Sequence, residues 1–189
     1  MRGQLQARAF LLTGPPGCGK TSLLREVLAH LDLPAGGFLT EEVRRGGHRT
    51  GFRLVTLDGR RAMLAAVDSP SAVRVGKYGV NLAALDELGV PALEDALARG
   101  HLVVVDEIGK MEMASSRFRR AVEAALDGGS VVLGTILLAP HPWADALRAR
   151  PEVLILRLAP AERERVREHL VTLVRECMER RRDSEASTA

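Results

Sequence analysis

The sequence predicts an α/β fold: a mostly parallel sheet covered by helices on both faces, with an antiparallel hairpin insertion. Short apolar runs rich in β-branched residues alternate along the chain with segments of helical periodicity. A glycine-rich loop, GPPGCGKTS, joins the first such run to the first helix. Two turn signals, RRGGHR and DGRR, separate strand-like runs that lie too close together for a crossover helix. With 189 residues the chain has the length of one domain, taken as 1–189, and is short for two well-buried cores.

In order, residues 7–13 read as a buried strand and residues 14–19 as the loop that turns it. Leu23, Leu24, Val27, Leu28 and Leu31 then form the apolar face of a helix. GGFLTEEV and GFRLVTL make a hairpin around RRGGHR, and AMLAAV follows DGRR as a further strand; this insertion is expected to extend the sheet or cover an edge. A helical pattern from Asn81 is expected to break at residues 89–91, where Gly and Pro fall together, and to resume as ALEDALAR with Gly100 as its stop. HLVVVDE is continuous and β-branched, as a strand covered on both faces requires. Residues 113–126 read as a helix ending at Gly128 and Gly129, SVVLGTI as a buried strand, residues 143–148 as a short helix and EVLILRL as the last strand. Val166, Leu170, Leu173, Val174 and Cys177 mark one face of a long C-terminal helix, beyond which residues 180–189 are expected to fray.

Composition narrows the function. Hydrophobic residues at 46% and charged residues at 27%, without internal repeats or low-complexity segments, exclude a solenoid or a disordered chain. The net charge is only +3 and arginines alternate with acids, as in ERERVRE, which reads as a solvated face rather than a basic groove. Aromatics at 3% leave few platforms for stacking bases, so nucleic acid is not an expected partner. Cys18 and Cys177 lie far apart without CxxC spacing or a histidine pair, which points to neither a zinc site nor a disulfide framework. No leader pattern and no apolar span near ~20 residues occurs, so no membrane partner is expected and the cytoplasm is the expected location. A monomer is expected rather than an obligate oligomer.

The chemistry starts in the loop. Gly14, Pro15, Pro16, Gly17, Cys18, Gly19, Lys20 and Thr21 match the full P-loop pattern between a strand and a helix. Its glycines let backbone N–H groups converge on phosphate oxygens, and the helix N-terminus adds partial positive charge. Lys20 is expected to reach the β- and γ-phosphates and the Thr21 hydroxyl to ligate Mg²⁺. LVVVDEIGKME supplies the acids. Asp106, ending an apolar strand, is the second metal residue, and Glu107 is the carboxylate placed to orient water or take its proton, or else a capping or solvated acid. Lys20, Lys77 and Lys110 are the only lysines in a chain whose other cationic side chains are arginines. Lys77 and Lys110 are therefore candidates for neutralising phosphate charge, or else solvated surface residues. Arg44, Arg117, Arg119 and Arg120 compete for that role. Thr135 reads either as a sensor of the γ-phosphate or as a plain strand-end threonine.

GPPGCGKTS, GGFLTEEVR, GFRLVTLDG, RVGKYGVN and DEIGKME, in that order, resemble the family of nucleoside-triphosphatases found in thermophilic microbes and, as a cancer-related enzyme, in humans. The resemblance runs from about residue 8 to about residue 165. It implies a RecA-like P-loop domain that slowly hydrolyses ATP, GTP, CTP and UTP with little base discrimination and needs Mg²⁺. It also implies nucleotide on residues 14–21 and on 102–109, including Asp106, Glu107, Ile108 and Gly109, with Glu107 catalytic. Segment 136–151 matches more loosely and is assigned no role.

Three other classes share parts of the pattern. A switch GTPase shares Asp106-x-x-Gly109, but no NKxD reads guanine. A nucleotide or nucleoside kinase shares GPPGCGK, with the hairpin region as acceptor site, but lacks an arginine-rich lid after a DR pair. A motor subunit with an arginine finger supplied in trans would need a longer appended helical domain.

Overall fold

The computed structural model describes residues 7–186. The N-terminal part contains β1 (Ala9–Thr13), α1 (Lys20–Leu31), β2 (Ala35–Arg45), β3 (His48–Thr56), β4 (Arg61–Ala66), β5 (Arg74–Val75) and β6 (Tyr78–Val80). There follow α2 (Leu82–Ala84), a π-helical stretch Leu85–Gly89, α3 (Val90–Ala98), β7 (Leu102–Ile108), a 3₁₀ turn Glu112–Ala114 and α4 (Ser116–Asp127). The chain ends with β8 (Val132–Ile136), α5 (Pro142–Arg148), β9 (Val153–Arg157), a 3₁₀ turn Pro160–Glu162 and α6 (Arg163–Ala186).

The strands form one sheet in the order β5-β6-β4-β3-β2-β7-β8-β1-β9. Neighbours from β2 to β9 pair in parallel, and those from β2 out to β5 antiparallel. The hairpin insertion therefore extends the sheet. β8 lies between the loop strand β1 and the acid strand β7, the separation that the RecA-like form of the P-loop α/β fold requires.

Side chains alternate across a strand, so one strand serves two layers. Ala9 and Leu11 pack with α3, α4 and α5 in one apolar cluster, while Phe10 and Leu12 pack with α1 and α6 in another. Each fully buried Leu or Phe there contributes about 1.5–3 kcal/mol. The two clusters clamp β1, β7 and β8 and level their carboxyl ends, where ligands of parallel sheets bind. No helix of the described residues is long and apolar enough to cross a membrane.

Three boundaries differ from expectation. The helix after Asn81 does not break at residues 89–91. It widens into the π-helical stretch, and Pro91 falls in the first turn of α3, where its missing N–H costs little. Gly89 serves packing there: a Cβ would stand 2.7 Å from Leu54 Cδ1. Secondly, α4 starts at Ser116 instead of residue 113, because the Ser115 side chain accepts the Phe118 N–H at 3.0 Å and caps it. Thirdly, α6 continues to Ala186, so residues 180–186 of the expected frayed segment are helical; residues 187–189 lie outside the described residues.

Candidate active site

The P-loop geometry follows from its glycines. Gly17 and Gly19 have φ of 76° and 92°, a left-handed region that a side chain would strain. Gly19 is the N-cap of α1, and its carbonyl accepts the Leu23 N–H at 2.9 Å. The Cys18 N–H bonds the Pro15 carbonyl at 3.2 Å, closing the turn. Lys20 folds back so that Nζ lies 3.1 Å from the Gly14 carbonyl and 3.7 Å from Glu107 Oε1. Cys18 is half-buried and unpaired with the buried Cys177.

Strand register sets the acids against this loop. Leu12 pairs with Thr135, and Gly134 with Val105, so Thr135 and Asp106 come level with the end of β1. Asp106 is 1% exposed, and buried carboxylates persist when hydrogen-bonded. The hydroxyls of Thr135 and Thr21 donate to its two oxygens at 2.6 and 2.7 Å, and the Thr40 N–H and hydroxyl approach at 3.4 Å. A hydrogen bond to a charged group is worth about 1.5–3 kcal/mol, which makes Asp106 the tie between β7, β8, β2 and α1.

Glu107 lines the same groove as Asp106, beside Lys20. Burial pushes its carboxyl up from the ordinary range, the Lys20 ammonium pulls it down and the Asp106 charge adds to the rise. Across Gly109 it meets a third acid, Glu112: a Cβ on Gly109 would stand 2.9 Å from Glu112 Oε2 and 3.3 Å from Glu107 Oε2. Glu112 is buried and pushed up to about 8 by burial, with the charges of Glu107 and Asp106 adding to the effect.

A groove of about 720 Å³ runs over Gly17, Gly19, Thr21 and Asp106, with Arg44 and Arg49 on its opposite wall. Arg49 is held by Glu42 at 2.7 Å and by the Tyr78 hydroxyl at 3.2 Å, and Arg44 by Glu42 at 2.6 Å. The donor set fits Mg²⁺: the Thr21 and Asp106 oxygens lie 2.7 Å apart, near the separation of about 2.9 Å between adjacent ligands of an octahedral ion. No group of three or more His, Cys, Asp or Glu side chains that could hold a metal occurs among the described residues. An ion at Thr21 and Asp106 would share its coordination with phosphate and water.

The sequence candidates thus separate. Residues 14–21, Asp106, Glu107, Thr135 and Arg44 come together. Ile108 is buried in the core beneath them, and its carbonyl receives the Leu137 N–H at 3.1 Å. Lys110 is exposed beside Glu107 and Gly109. Lys77 is exposed on the β5–β6 turn, 5.5 Å from the Tyr78 ring, and does not line the groove. Arg117 is engaged with the Asp86 carbonyl at 2.6 Å and Glu94 at 2.8 Å; Arg119 and Arg120, also on α4, do not line the groove either.

Four residues were missed by sequence reasoning. Thr40, Arg49 and Glu112 lie within motifs or beside them, but local pattern alone assigns them nothing. Within ERERVRE, Arg163 reads as one residue of a solvated Arg/Glu face. It bonds the Gly19 carbonyl at 3.1 Å and Glu26 at 2.6 Å, tying α6 to the P-loop.

Comparison with known proteins places the chain by family and fold. A family model described as NTPase matches residues 9–171. The nucleoside-triphosphatase THEP1 of Thermotoga petrophila is 46% identical, covering 82% of this chain and 86% of that protein. The crystal structure of THEP1 from Aquifex aeolicus superposes with a TM-score of 0.81 at 36% identity, covering 88% of this chain and 98% of the other. The solution structure of a human cancer-related nucleoside triphosphatase gives 0.76 at 38% identity, over 90% and 98% of the two chains.

Proposed function

This chain belongs to the NTPase family, is a nucleoside-triphosphatase, and, we propose, releases the terminal phosphate of ATP, GTP, CTP and UTP to water in a Mg²⁺-dependent reaction. The observation that carries the reading is Glu107, whose carboxylate stands 3.7 Å from Lys20 Nζ at the γ end of the loop. That is where a base for an attacking water has to be.

In this reading the amides of residues 14–21 and Lys20 hold the phosphates. Lys20 exchanges its contact with Glu107 for the β- and γ-phosphates, which frees the carboxylate to orient water and receive its proton. Thr21 and Asp106 hold the metal, which when bound neutralises phosphate charge. Thr135 keeps Asp106 in place, while Arg44 and Arg49 face the phosphates across the groove. Low base discrimination rests on the family resemblance, and action as a monomer in the cytoplasm belongs to the same proposal.

The test is phosphate release from purified protein with each of the four triphosphates, with and without Mg²⁺, and with nucleosides and nucleoside monophosphates added as acceptors. Release from several triphosphates that needs Mg²⁺ and no acceptor is the expected result. Negligible release until one acceptor is added would overturn it.

A further inference from the structure

The end of the sheet opposite the nucleotide groove holds a cavity of about 530 Å³ that shares no lining residue with it. Its floor is made by the residues that lead into three parallel strands: Ala7 and Arg8 before β1, Gly129 and Val131 before β8, Pro151 and Glu152 before β9. The P-loop leaves β1 at its other end, and five residues at ~3.3 Å each put about 17 Å of strand between the two spaces. The wall comes from α6, where Cys177, Arg180, Arg181 and Ser184 follow the i, i+3, i+4, i+7 spacing of one helix face. An arginine from the start of the chain thereby meets two from its end.

The charges select the ligand. Three cationic side chains line the cavity against one carboxylate, Glu152, which already has a counter-ion in Arg150, with Nε at 2.5 Å. Arg8 makes no ion pair among the described residues, and its Nε is buried without a hydrogen-bond partner, 4.0 Å from where a Cβ on Gly129 would stand. A buried N–H without an acceptor is costly, which marks a place for one. Arg180 is held loosely, 3.7 Å from Glu176 with both side chains about half exposed, a pair readily exchanged. Burial pushes the Cys177 thiol up by more than the nearby charges of Arg180, Arg8 and Arg181 lower it, so it adds a neutral surface beside Ala7 and Val131. We propose that this cavity is a second ligand site that binds a phosphate group through Arg8, Arg180 and Arg181, with room for a small organic body against Ala7, Val131 and Pro151. A guanidinium fork matches a pair of phosphate oxygens, and a tetrahedral dianion can meet forks arriving from a strand and from a helix, whereas a carboxylate offers two oxygens and one charge.

The proposal goes beyond the nucleotide reading and is tested with the P-loop occupied. The full chain, methyl-labelled at Ala and Val, is mixed with Mg²⁺ and a non-hydrolysable triphosphate analogue and titrated at constant ionic strength with inorganic phosphate, phenyl phosphate and benzoate. Saturable shifts at Ala7 and Val131 are expected with the two phosphates, with dissociation constants on the order of 1 mM, and benzoate should bind about tenfold more weakly. Arg180→Gln should weaken both phosphates about tenfold, and Ser184→Glu, which adds a carboxylate at the rim, should do the same. Both positions are exposed on α6, so neither change disturbs the core.

Tighter binding of phenyl phosphate than of inorganic phosphate would assign the cavity to an organic phosphate, and equal binding to the free ion. No saturable shift with either phosphate overturns the proposal, as does an affinity that neither substitution changes, or benzoate binding as tightly as phenyl phosphate. The amides of residues 14–21 report separately on the P-loop, so failure of the analogue to bind there is distinguishable from failure here.

Discussion

The parallel half of the sheet and its antiparallel extension both present charged groups to one groove, but they hold them by different means. On the parallel side Asp106 is 1% exposed and bonded by threonines from β8 and α1. On the extension, Arg44 and Arg49 share Glu42 with side chains 58%, 40% and 38% exposed. Buried, hydrogen-bonded groups keep their geometry as the core does, whereas exposed ion pairs contribute about 0–1 kcal/mol and are readily exchanged for other partners. The parallel half is therefore suited to metal and water, which demand fixed positions, and the extension to adjustable neutralisation of phosphate charge.

The largest break in that comparison comes from Lys20→Ala. It should lower kcat/KM by about 10³-fold or more and weaken binding of a triphosphate analogue as well, because the lysine contacts phosphate in ground and transition states. Wild-type phosphate release and wild-type binding would remove the P-loop from the site. Glu107→Gln should cost ~10²-fold or more in kcat while binding stays within about threefold. Unchanged turnover would return Glu107 to the role of a solvated acid.

Glu112 makes the third prediction, one of stability. Its carboxyl rises from 4.5 to about 8 on folding, so between those values the folded chain holds a proton that the unfolded chain has released. Stability on this account is fully present at low pH and is lost as pH rises toward 8. Glu112→Gln abolishes that loss, and chemical denaturation should show the variant gaining about 4 kcal/mol on wild type between about pH 5 and pH 9. A pH-independent difference would mean that burial does not control this group.

The smallest effects sharpen the other side. Arg49→Ala should reduce turnover about tenfold, since its guanidinium lines the groove, while Lys77→Ala should stay within about twofold, a difference that steady-state phosphate release resolves. Equal losses would mean that the β5–β6 turn also reaches the phosphates.

Much of this was legible in residue order. Alternation of apolar strands with periodic helices, the P-loop with its strand and helix, and the acid pair ending HLVVVDE are local patterns. Each is set by a handful of neighbours whose φ preferences or apolar spacing suffice. Local signals failed where packing overruled them. Gly89 and Pro91 look like a break, yet the chain stays helical because the glycine lets the helix approach Leu54 and the proline sits in a first turn.

What the sequence by itself determined is therefore most of the strands and helices and the identity of the loop, with Thr21, Asp106 and Glu107 singled out as candidates for metal and water. The tertiary structure decided which residues stand beside them: Thr135 and Thr40 on Asp106, Arg49 across the groove, Arg163 on the loop, Glu112 behind Gly109. Thr135, Thr40 and Arg163 are separated from their partners by 29, 66 and 144 residues, respectively. Strand order, register and helix docking bring them together, and these are settled by the burial of whole faces against one another rather than by any run of neighbouring residues.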